Sequence, residues 1–212
     1  MARRVICISR ILGAGGPEIG QAVADRLGYR HVDEEIVQQA AESQGLSVDE
    51  LADVERRKTF MDRFLDNLAM AGGVEGYMIG VAGFAPTPML GGGPKSLREL
   101  IRTSIEETAD RGEVVIVSHA ASYALAGRRD VLRALVTASR ETRIARAVEA
   151  GGMDEKAAAK VVAEDDAGRA SYLKQFYGVS SELPTHYDLA LNTDTLSPDL
   201  IVDLIVHAAQ NG

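Results

Sequence analysis

The residues closest to a chemical function form a glycine-rich stretch near the start of the chain. Residues 5–8 are a short apolar run rich in β-branched side chains, and Gly13-Ala14-Gly15-Gly16 follows shortly after. Glycines let successive backbone N–H groups converge on an anion, and the positive end of a following helix adds to that attraction. Pro17 suits the first position of such a helix, and Glu18 suits its first turn. The stretch predicts a phosphate-binding loop, with a purely structural strand-to-helix turn as the alternative.

Two known glycine patterns fit this stretch to different degrees. The dinucleotide-binding fingerprint requires a fixed glycine spacing that the chain matches poorly, although Asp33 lies at about the distance expected of its acidic residue. The phosphate loop of nucleotide kinases fits better in shape. That loop ends in Gly-Lys-Ser/Thr, whereas this chain has Gly15-Gly16-Pro17. The loop therefore lacks the lysine that bridges the transferred phosphates and the hydroxyl that holds magnesium.

Three arginines in the second half of the chain are further candidates for phosphate contacts. Arg143 and Arg146 lie about one turn apart on one predicted helix face, so both can reach the same phosphate. A solvated helix face explains this pair equally well. Arg169 follows Asp165 and Asp166, so an ion pair within its own helix is the alternative to a role in binding.

Composition and charge exclude several classes of function. The chain has 212 residues, of which 46% are apolar and 25% charged, so it can bury a globular core. Its formal net charge of −8, with scattered lysines and arginines, disfavours binding to a nucleic acid polymer. Cys7 is the only cysteine and cannot form an internal disulfide. The apolar run after the basic N-terminus is too short for a signal sequence or a membrane span, so we expect a cytoplasmic protein without membrane association.

Strands and helices are predicted in alternation along the chain. The predicted strands cover residues 5–8, 29–32, 114–117, 131–137 and 187–191. The predicted helices cover residues 19–27, 33–40, 47–57, 58–71, 96–111, 140–150, 154–175 and 198–209. Such alternation is typical of a parallel sheet with helices on both faces. Ligands bind beyond the carboxyl ends of the strands of such a sheet, and the glycine stretch lies at one of those ends.

Residues 72–94 depart from this alternation. They contain eight of the 21 glycines and three of the six prolines, which is typical of a linker or a flap. The segment also carries apolar side chains, namely Tyr77, Met78, Ile79, Val81 and Phe84. We therefore expect it to pack against another surface, and a partner subunit in a homodimer is one possibility.

Several short motifs recur in the order and spacing of one known family. Ile8-Ser9-Arg10 and the glycine stretch up to Gly20 are similar to a Ser-Arg followed by Gly-Ser-Gly-Gly-Arg-Glu-Ile-Gly. Asp33-Glu34-Glu35-Ile36 is similar to an Asp-Arg-Glu-Ile/Leu motif, and residues 115–123 are similar to Val-Ile-Val-Gly-Arg-x-Ala-Asp-Tyr. These motifs belong to the cytidylate kinase-like family of P-loop nucleoside monophosphate kinases, which the chain resembles.

The resemblance continues to the C-terminal part of the chain. Glu141-x-Arg143-Ile144-x-Arg146 and Asp166-x-x-Arg169-x-x-Tyr172 are similar to the helix pair around a kinase lid. Tyr187-Asp188-Leu189 with Asn192-Thr193 resembles the closing strand and its Asn-Thr. The resemblance implies a single P-loop NTPase-type domain over residues 1–212, a three-layer α/β/α fold with a five-stranded parallel sheet. Its core would comprise residues 1–43, 96–149 and 181–212, with a helical acceptor-side insertion at about 44–95 and a lid at about 150–180.

The family's activity would be transfer of the ATP γ-phosphoryl group to a nucleoside monophosphate, CMP or dCMP, with Mg²⁺. The resemblance implies that the donor nucleotide is bound by Ser9, Arg10, Gly13, Ala14, Gly15, Gly16, Pro17 and Glu18. Arg143, Arg146 and Arg169 would neutralise developing charge, with Arg169 moving over the phosphates when the lid closes. Asp33 would orient the metal or the acceptor, and capping of the next helix is its alternative role.

The implied acceptor-binding residues are Arg56, Arg57, Arg63 and His119. A solvated basic face, which Lys58 would share, is the alternative for the three arginines, and an ordinary hydrogen-bonded histidine is the alternative for His119. The sequence assigns no metal ligand.

Departures from the family pattern fall in the same site. Pro17 stands where the family has arginine, Ser118-His119 stand where it has Gly-Arg, and Ser122 stands where it has aspartate. These differences remove positive charge from a reaction that depends on electrostatic stabilisation. Two alternative functions follow. One is a catalytically degenerate regulatory module that binds a nucleotide or another phosphate ligand, and the other is a kinase for a different small acceptor.

Overall fold

The computed structural model describes residues 3–33, 94–118 and 121–212 of the chain. The strands are β1 (Val5–Arg10), β2 (Arg30–Val32), β3 (Val114–Val117), β4 (Val131–Thr137) and β5 (Leu189–Asn192). The helices are α1 (Gly16–Leu27), α2 (Pro94–Asp110), α3 (Ala121–Ala124), α4 (Arg140–Gly151), α5 (Glu155–Tyr177) and α6 (Pro198–Asn211), with a short 3₁₀ turn at Pro184–His186. None of the described helices is long and apolar enough to cross a membrane.

The five strands form one parallel sheet in the order β2-β3-β1-β4-β5. β1 is the central strand, and Cys7 is in register with Ile116 of β3 on one side and with Arg133 of β4 on the other. Parallel pairing brings the carboxyl ends of all five strands to one edge, which is where α/β folds bind ligands. The predicted α/β fold class is confirmed.

The sheet is buried on both faces, as its unbroken β-branched runs predict. On one face, Ile6 and Ile8 of β1 belong to a core cluster that includes side chains of α1 and α6. On the opposite face, Val5 and Cys7 belong to a second cluster with side chains of α2 and α3. All four residues are fully buried because successive side chains of a strand point to opposite faces.

α1 packs unusually close to β3. A Cβ atom on Gly20 would lie only 2.2 Å from Cγ2 of Val117, so glycine is required at this contact. At the end of α1, Gly28 adopts a left-handed conformation, with φ of 69°, and its backbone N–H caps the helix. These two glycines fix the position of α1 against the sheet, and thereby the position of its N-terminus.

Some predicted boundaries differ from the structure. β1 extends to Arg10, two residues beyond the predicted strand, because the backbone continues to pair with β4. β5 begins at Leu189 rather than at Tyr187, since Pro184–His186 forms a 3₁₀ turn and the Tyr187 N–H donates to the Pro184 carbonyl. The helices predicted at 47–57 and 58–71, residues 34–40 of the helix predicted at 33–40, and residues 72–93 lie outside the described residues.

Candidate phosphate-binding site

The glycine loop connects β1 to α1 at the carboxyl edge of the sheet. Gly13 and Gly15 have φ values of 77° and 82°, in the left-handed region that favours glycine. A Cβ atom on Gly16 would lie 2.7 Å from Cβ of Arg10, and one on Gly13 would lie 3.1 Å from Cα of Arg143. Backbone conformation and close packing therefore both require glycines in this loop.

Backbone donors converge at the N-terminus of α1. Gly15 occupies the N-cap position, and no side chain caps the helix there. The Ile19 N–H bonds to the Gly15 carbonyl at 3.2 Å. Within residues 3–33, 94–118 and 121–212, no hydrogen bond engages the N–H groups of Gly13, Gly15, Gly16 or Glu18. Free donors at the positive end of a helix attract an anion such as phosphate.

Arg143 lies beside this loop and is bound to a carboxylate of α5. Its Nη1 and Nη2 atoms donate to the two carboxylate oxygens of Asp166 at 2.8 Å and 2.7 Å. The Arg143 side chain is only 7% exposed, whereas that of Asp166 is 40% exposed. The hydrogen bonds that Arg143 donates to Asp166 outweigh burial and raise the pKa of Arg143 above its ordinary value. The guanidinium charge of Arg143 is therefore balanced within the protein.

Asp165 contributes a second carboxylate from the same helix. Burial and the neighbouring charge of Asp166 raise the pKa of Asp165 above its usual range. Its Oδ2 atom is buried and has no hydrogen-bond partner among the residues that the structure describes. A buried carboxylate oxygen without a partner is unfavourable, and the negative charges of Asp165 and Asp166 repel each other. A cation or a hydrogen-bond donor at this position would therefore be stabilising.

Arg169 is held by contacts inside the protein, and its side chain is only 5% exposed. It donates to both carboxylate oxygens of Glu182, at 2.9 Å and 2.5 Å. It also donates to the carbonyl of Arg10 at 3.0 Å and to Oγ of Ser9 at 2.8 Å. The sequence alternative placed its partner within the same helix, but this carboxylate lies beyond the helix end. Arg169 thus joins α5 to the end of β1.

Glu182 also belongs to a buried group of hydroxyls. It accepts hydrogen bonds from the hydroxyls of Tyr187 and Tyr123, and the Ser9 hydroxyl lies 3.2 Å from the Tyr187 oxygen as a donor to it. Burial opposes the charge of Glu182, but the hydrogen bonds and charge of Arg169 outweigh it and lower the pKa of Glu182. The carboxylate is therefore ionised at neutral pH and keeps Arg169 in place.

Arg146 contacts the glycine loop from α4. Its Nη1 atom donates to the carbonyl of Gly13 at 3.0 Å and to Oγ1 of Thr193 at 2.8 Å. Its Nη2 atom donates to the Thr193 carbonyl at 3.1 Å. All three acceptors are uncharged oxygens, so Arg146 differs from Arg143 and Arg169.

The structure brings most of the predicted site residues to one edge of the sheet. The loop residues, including Ser9, Arg10, Ala14, Pro17 and Glu18, meet the three arginines there. Asp33 follows β2, and its Oδ2 lies 3.9 Å from Nη1 of Arg10. The predicted acceptor residues Arg56, Arg57, Arg63 and His119 lie outside the described residues. No group of three His, Cys, Asp or Glu side chains that could hold a metal occurs among the described residues.

Sequence reasoning missed three residues that hold this site together. The sequence indicates Asp166 only as part of a family motif and as a partner of Arg169, and it gives no signal for Glu182. Thr193 was noted only as part of the Asn-Thr in the closing strand. That motif was the one sequence signal for Thr193, since its contacts to Gly13, Ala14 and Arg146 depend on the folded arrangement.

Comparisons with known proteins agree with this geometry. An uncharacterized protein from Eubacterium ventriosum ATCC 27560 has a TM-score of 0.65 at 16% identity, covering 97% of each chain. Shikimate kinase from Bacteroides thetaiotaomicron has a TM-score of 0.52 at 17% identity, covering 98% of this chain and 96% of that chain. TT1252 from Thermus thermophilus has a TM-score of 0.50 at 16% identity, covering 99% and 98%. These likenesses show a shared fold, which is that of P-loop kinases.

A search of functionally curated proteins gives no match to the sequence. The family comparison is decisive, because the model of the cytidylate kinase-like family matches residues 5–195, which include the glycine loop, all three arginines and Thr193. The chain belongs to the cytidylate kinase-like family.

Proposed function

We propose that the protein transfers the γ-phosphoryl group of ATP to a nucleoside monophosphate, with CMP or dCMP as the favoured acceptor. The observation that carries this proposal is the set of unengaged N–H donors of Gly13, Gly15, Gly16 and Glu18 at the N-terminus of α1. In a kinase-type fold, donors at this place are suited to the phosphate chain of a nucleotide.

The loop fits a triphosphate by its chemistry. Its left-handed glycines let neighbouring N–H groups point to one side, and the positive end of α1 lies behind them. Mg²⁺ in such sites binds mainly to phosphate oxygens and water, so few protein ligands are needed. Asp33, beside Arg10 at the end of β2, is the residue we assign to a metal-bound water. When bound, Mg²⁺ would neutralise charge on the transferring phosphates.

This chain lacks the loop lysine, so the positive charge at the phosphates must come from neighbouring arginines. Arg143 is the residue we assign to the phosphates, because its backbone packs directly against Gly13. A phosphate oxygen could replace Asp166 as the partner of this guanidinium, since arginine binds both groups with the same two-pronged geometry. Release of Asp166 from Arg143 would accompany nucleotide binding, and α5 would have to shift away from α4.

A second candidate function is a regulatory module that binds a nucleotide without transferring phosphate. The contacts of Arg169 favour this regulatory function. Its guanidinium is bound to Glu182, Ser9 and the Arg10 carbonyl, whereas the kinase mechanism would use it to bind the phosphates. A kinase for another small acceptor is a third candidate. The solved neighbours include a shikimate kinase, so acceptors other than nucleotides belong in the test.

The test is ATP·Mg²⁺ consumption by the purified chain with CMP, dCMP, UMP, AMP, GMP and several alcohols. Arg143→Gln is the test variant, and Arg133→Gln is its matched control. Arg133 also forms a two-pronged ion pair, with Asp188, but on β4 and apart from the glycine loop.

We expect turnover with a cytidine nucleotide that falls at least about 100-fold in Arg143→Gln and stays near wild type in Arg133→Gln. Turnover with an alcohol alone would favour the third candidate. ATP binding without any turnover would favour the regulatory module. Absence of both binding and turnover would refute a nucleotide function.

A further inference from the structure

We propose that Arg146 and Thr193 are positioning residues that hold the glycine loop in its phosphate-binding conformation from the face opposite its N–H donors. Their effect on phosphate binding rests on the proposed function, whereas their effect on the loop conformation does not. Both act through backbone carbonyls of the loop rather than through contact with the ligand.

The contacts of Thr193 explain how a side chain on the last strand reaches the loop. Thr193 is 8% exposed and directly follows β5. Its hydroxyl accepts a hydrogen bond from Arg146 at 2.8 Å and lies 3.2 Å from the carbonyl oxygen of Ala14. The carbonyl of Thr137 lies 3.3 Å away as a second acceptor. Both hydrogen-bonding capacities of the hydroxyl are therefore used inside the protein.

Holding a carbonyl also fixes the N–H group of the next residue. The peptide bond is planar and trans, so its C=O and N–H groups point in opposite directions. When Thr193 binds the Ala14 carbonyl on one side, the Gly15 N–H must point to the other side. That N–H is one of the donors without a partner in the described chain. Thr193 thereby directs a donor of the proposed phosphate site.

Arg146 adds charge to this arrangement. Its guanidinium binds three uncharged oxygens, those of Gly13 and Thr193, whereas Arg143 and Arg169 are paired with carboxylates. No ion pair of Arg146 occurs within the described segments of the chain. A half-buried cation that forms no ion pair in the described segments creates a positive potential that is weakly screened. Arg146 therefore supplies positive charge on the side of the loop opposite its N–H donors. The loop lysine that this chain lacks would have supplied such charge on the side of the donors.

The role of Thr193 is tested with Thr193→Val and its conservative partner Thr193→Ser. Amide NMR spectra of the full chain report the Gly13 and Gly15 N–H groups, and titration with ATP and with tripolyphosphate reports binding. We expect Thr193→Val to shift both loop amides and to weaken phosphate binding by about tenfold. Thr193→Ser should restore both properties. Unchanged loop amides in Thr193→Val would overturn the proposal.

The role of Arg146 is tested with Arg146→Gln, and Arg128→Gln is its matched control. Arg128 also links separate segments, through Asp110 and Asp130, but it does so at the opposite end of the strands. We expect Arg146→Gln to weaken tripolyphosphate binding by about tenfold or more, at low and at high salt alike. Arg128→Gln should lower the melting temperature and leave binding unchanged. Equal binding by wild type and Arg146→Gln would overturn the role of its charge.

The two proposals fail in different ways. If the wild-type chain binds neither ATP nor tripolyphosphate, the proposed function is refuted, and the Gly15 amide shift in Thr193→Val then decides the positioning role. If the wild type binds both ligands and neither variant changes that binding or the loop amides, the positioning role is refuted and the proposed function stands.

Discussion

Replacement of Gly15 by alanine tests whether the left-handed loop conformation is needed for nucleotide binding. Gly15 has φ of 82°, and a new Cβ would meet only Cδ1 of Ile19, at 3.9 Å. No steric clash is added, so the cost is the conformational strain of about 1–2 kcal/mol for a residue with a Cβ in this region. The alanine loop can relieve that strain by leaving the left-handed region, which turns its N–H donor away.

Gly28→Ala is a control at the other end of the same helix. Gly28 has φ of 69°, and no atom lies within 4 Å of a Cβ built there, so the strain matches that of Gly15→Ala. Gly28→Ala should lower the melting temperature by about 2–8 °C, since 1 kcal/mol corresponds to about 2–4 °C in a chain of this size. Gly15→Ala should lower it by less, because its loop relieves the strain in the unbound protein.

Only Gly15→Ala should lose affinity for ATP. Binding would have to restore the strained conformation, and a cost of about 1–2 kcal/mol corresponds to roughly 5- to 30-fold weaker binding. Isothermal titration calorimetry of ATP·Mg²⁺ against both variants, with melting curves on the same samples, measures both effects. Similar affinities for Gly15→Ala and Gly28→Ala, when Gly15→Ala is the more stable of the two, would refute the assignment of the phosphate site to this loop.

Three further predictions concern the fold and the network behind the site. Burial opposes ionisation of Glu182, but Arg169 outweighs it and lowers the pKa of Glu182. The ionised Glu182 therefore stabilises the fold above pH 4.5, the ordinary pKa, and this stabilisation is lost as the pH falls through the lower pKa of the folded state. Melting curves at several pH values should show that Glu182→Gln costs about 2–3 kcal/mol at pH 7 and removes part of the wild-type acid sensitivity; an unchanged pH profile would contradict this. Gly20→Ala should cost about 3 kcal/mol, measured by urea denaturation, because its Cβ would clash with Val117, and Val117→Ala in the same chain should recover part of that loss. Burial raises the pKa of Cys7 to about 12, so a thiol reagent at pH 8 should label it only when the chain unfolds, and rapid labelling of the folded protein would disprove its burial.

The fold was predictable because its signals are local. Residues 114–117 are all β-branched and are fully buried in β3, and Gly28 ends α1 where the helical pattern stops. Alternation of such strands and helices leaves a parallel sheet as the favoured arrangement. The glycine loop was predictable for the same reason, since left-handed φ values at Gly13 and Gly15 depend on residues that tolerate them.

The partners of the arginines were not predictable in this way. Arg143 pairs with Asp166, which is 23 residues away, and Arg169 pairs with Glu182, which is 13 residues away and beyond the end of α5. No helical or strand periodicity links either pair, and several other carboxylates lie at similar distances along the chain. The sequence therefore identified the cations but could not decide whether each faces a ligand or a carboxylate of the protein.

The sequence by itself determined the class of fold, the place of the loop and the family, because these follow from residue preferences over a few positions and from motif order. Only the tertiary structure decided which groups the charged side chains contact. Thr193 lies 179 positions beyond Ala14 along the chain, yet their contact depends on β5 and the loop ending at the same edge of the sheet. Such contacts arise from the crossing of distant elements, so side-chain partners are selected by packing rather than by local sequence.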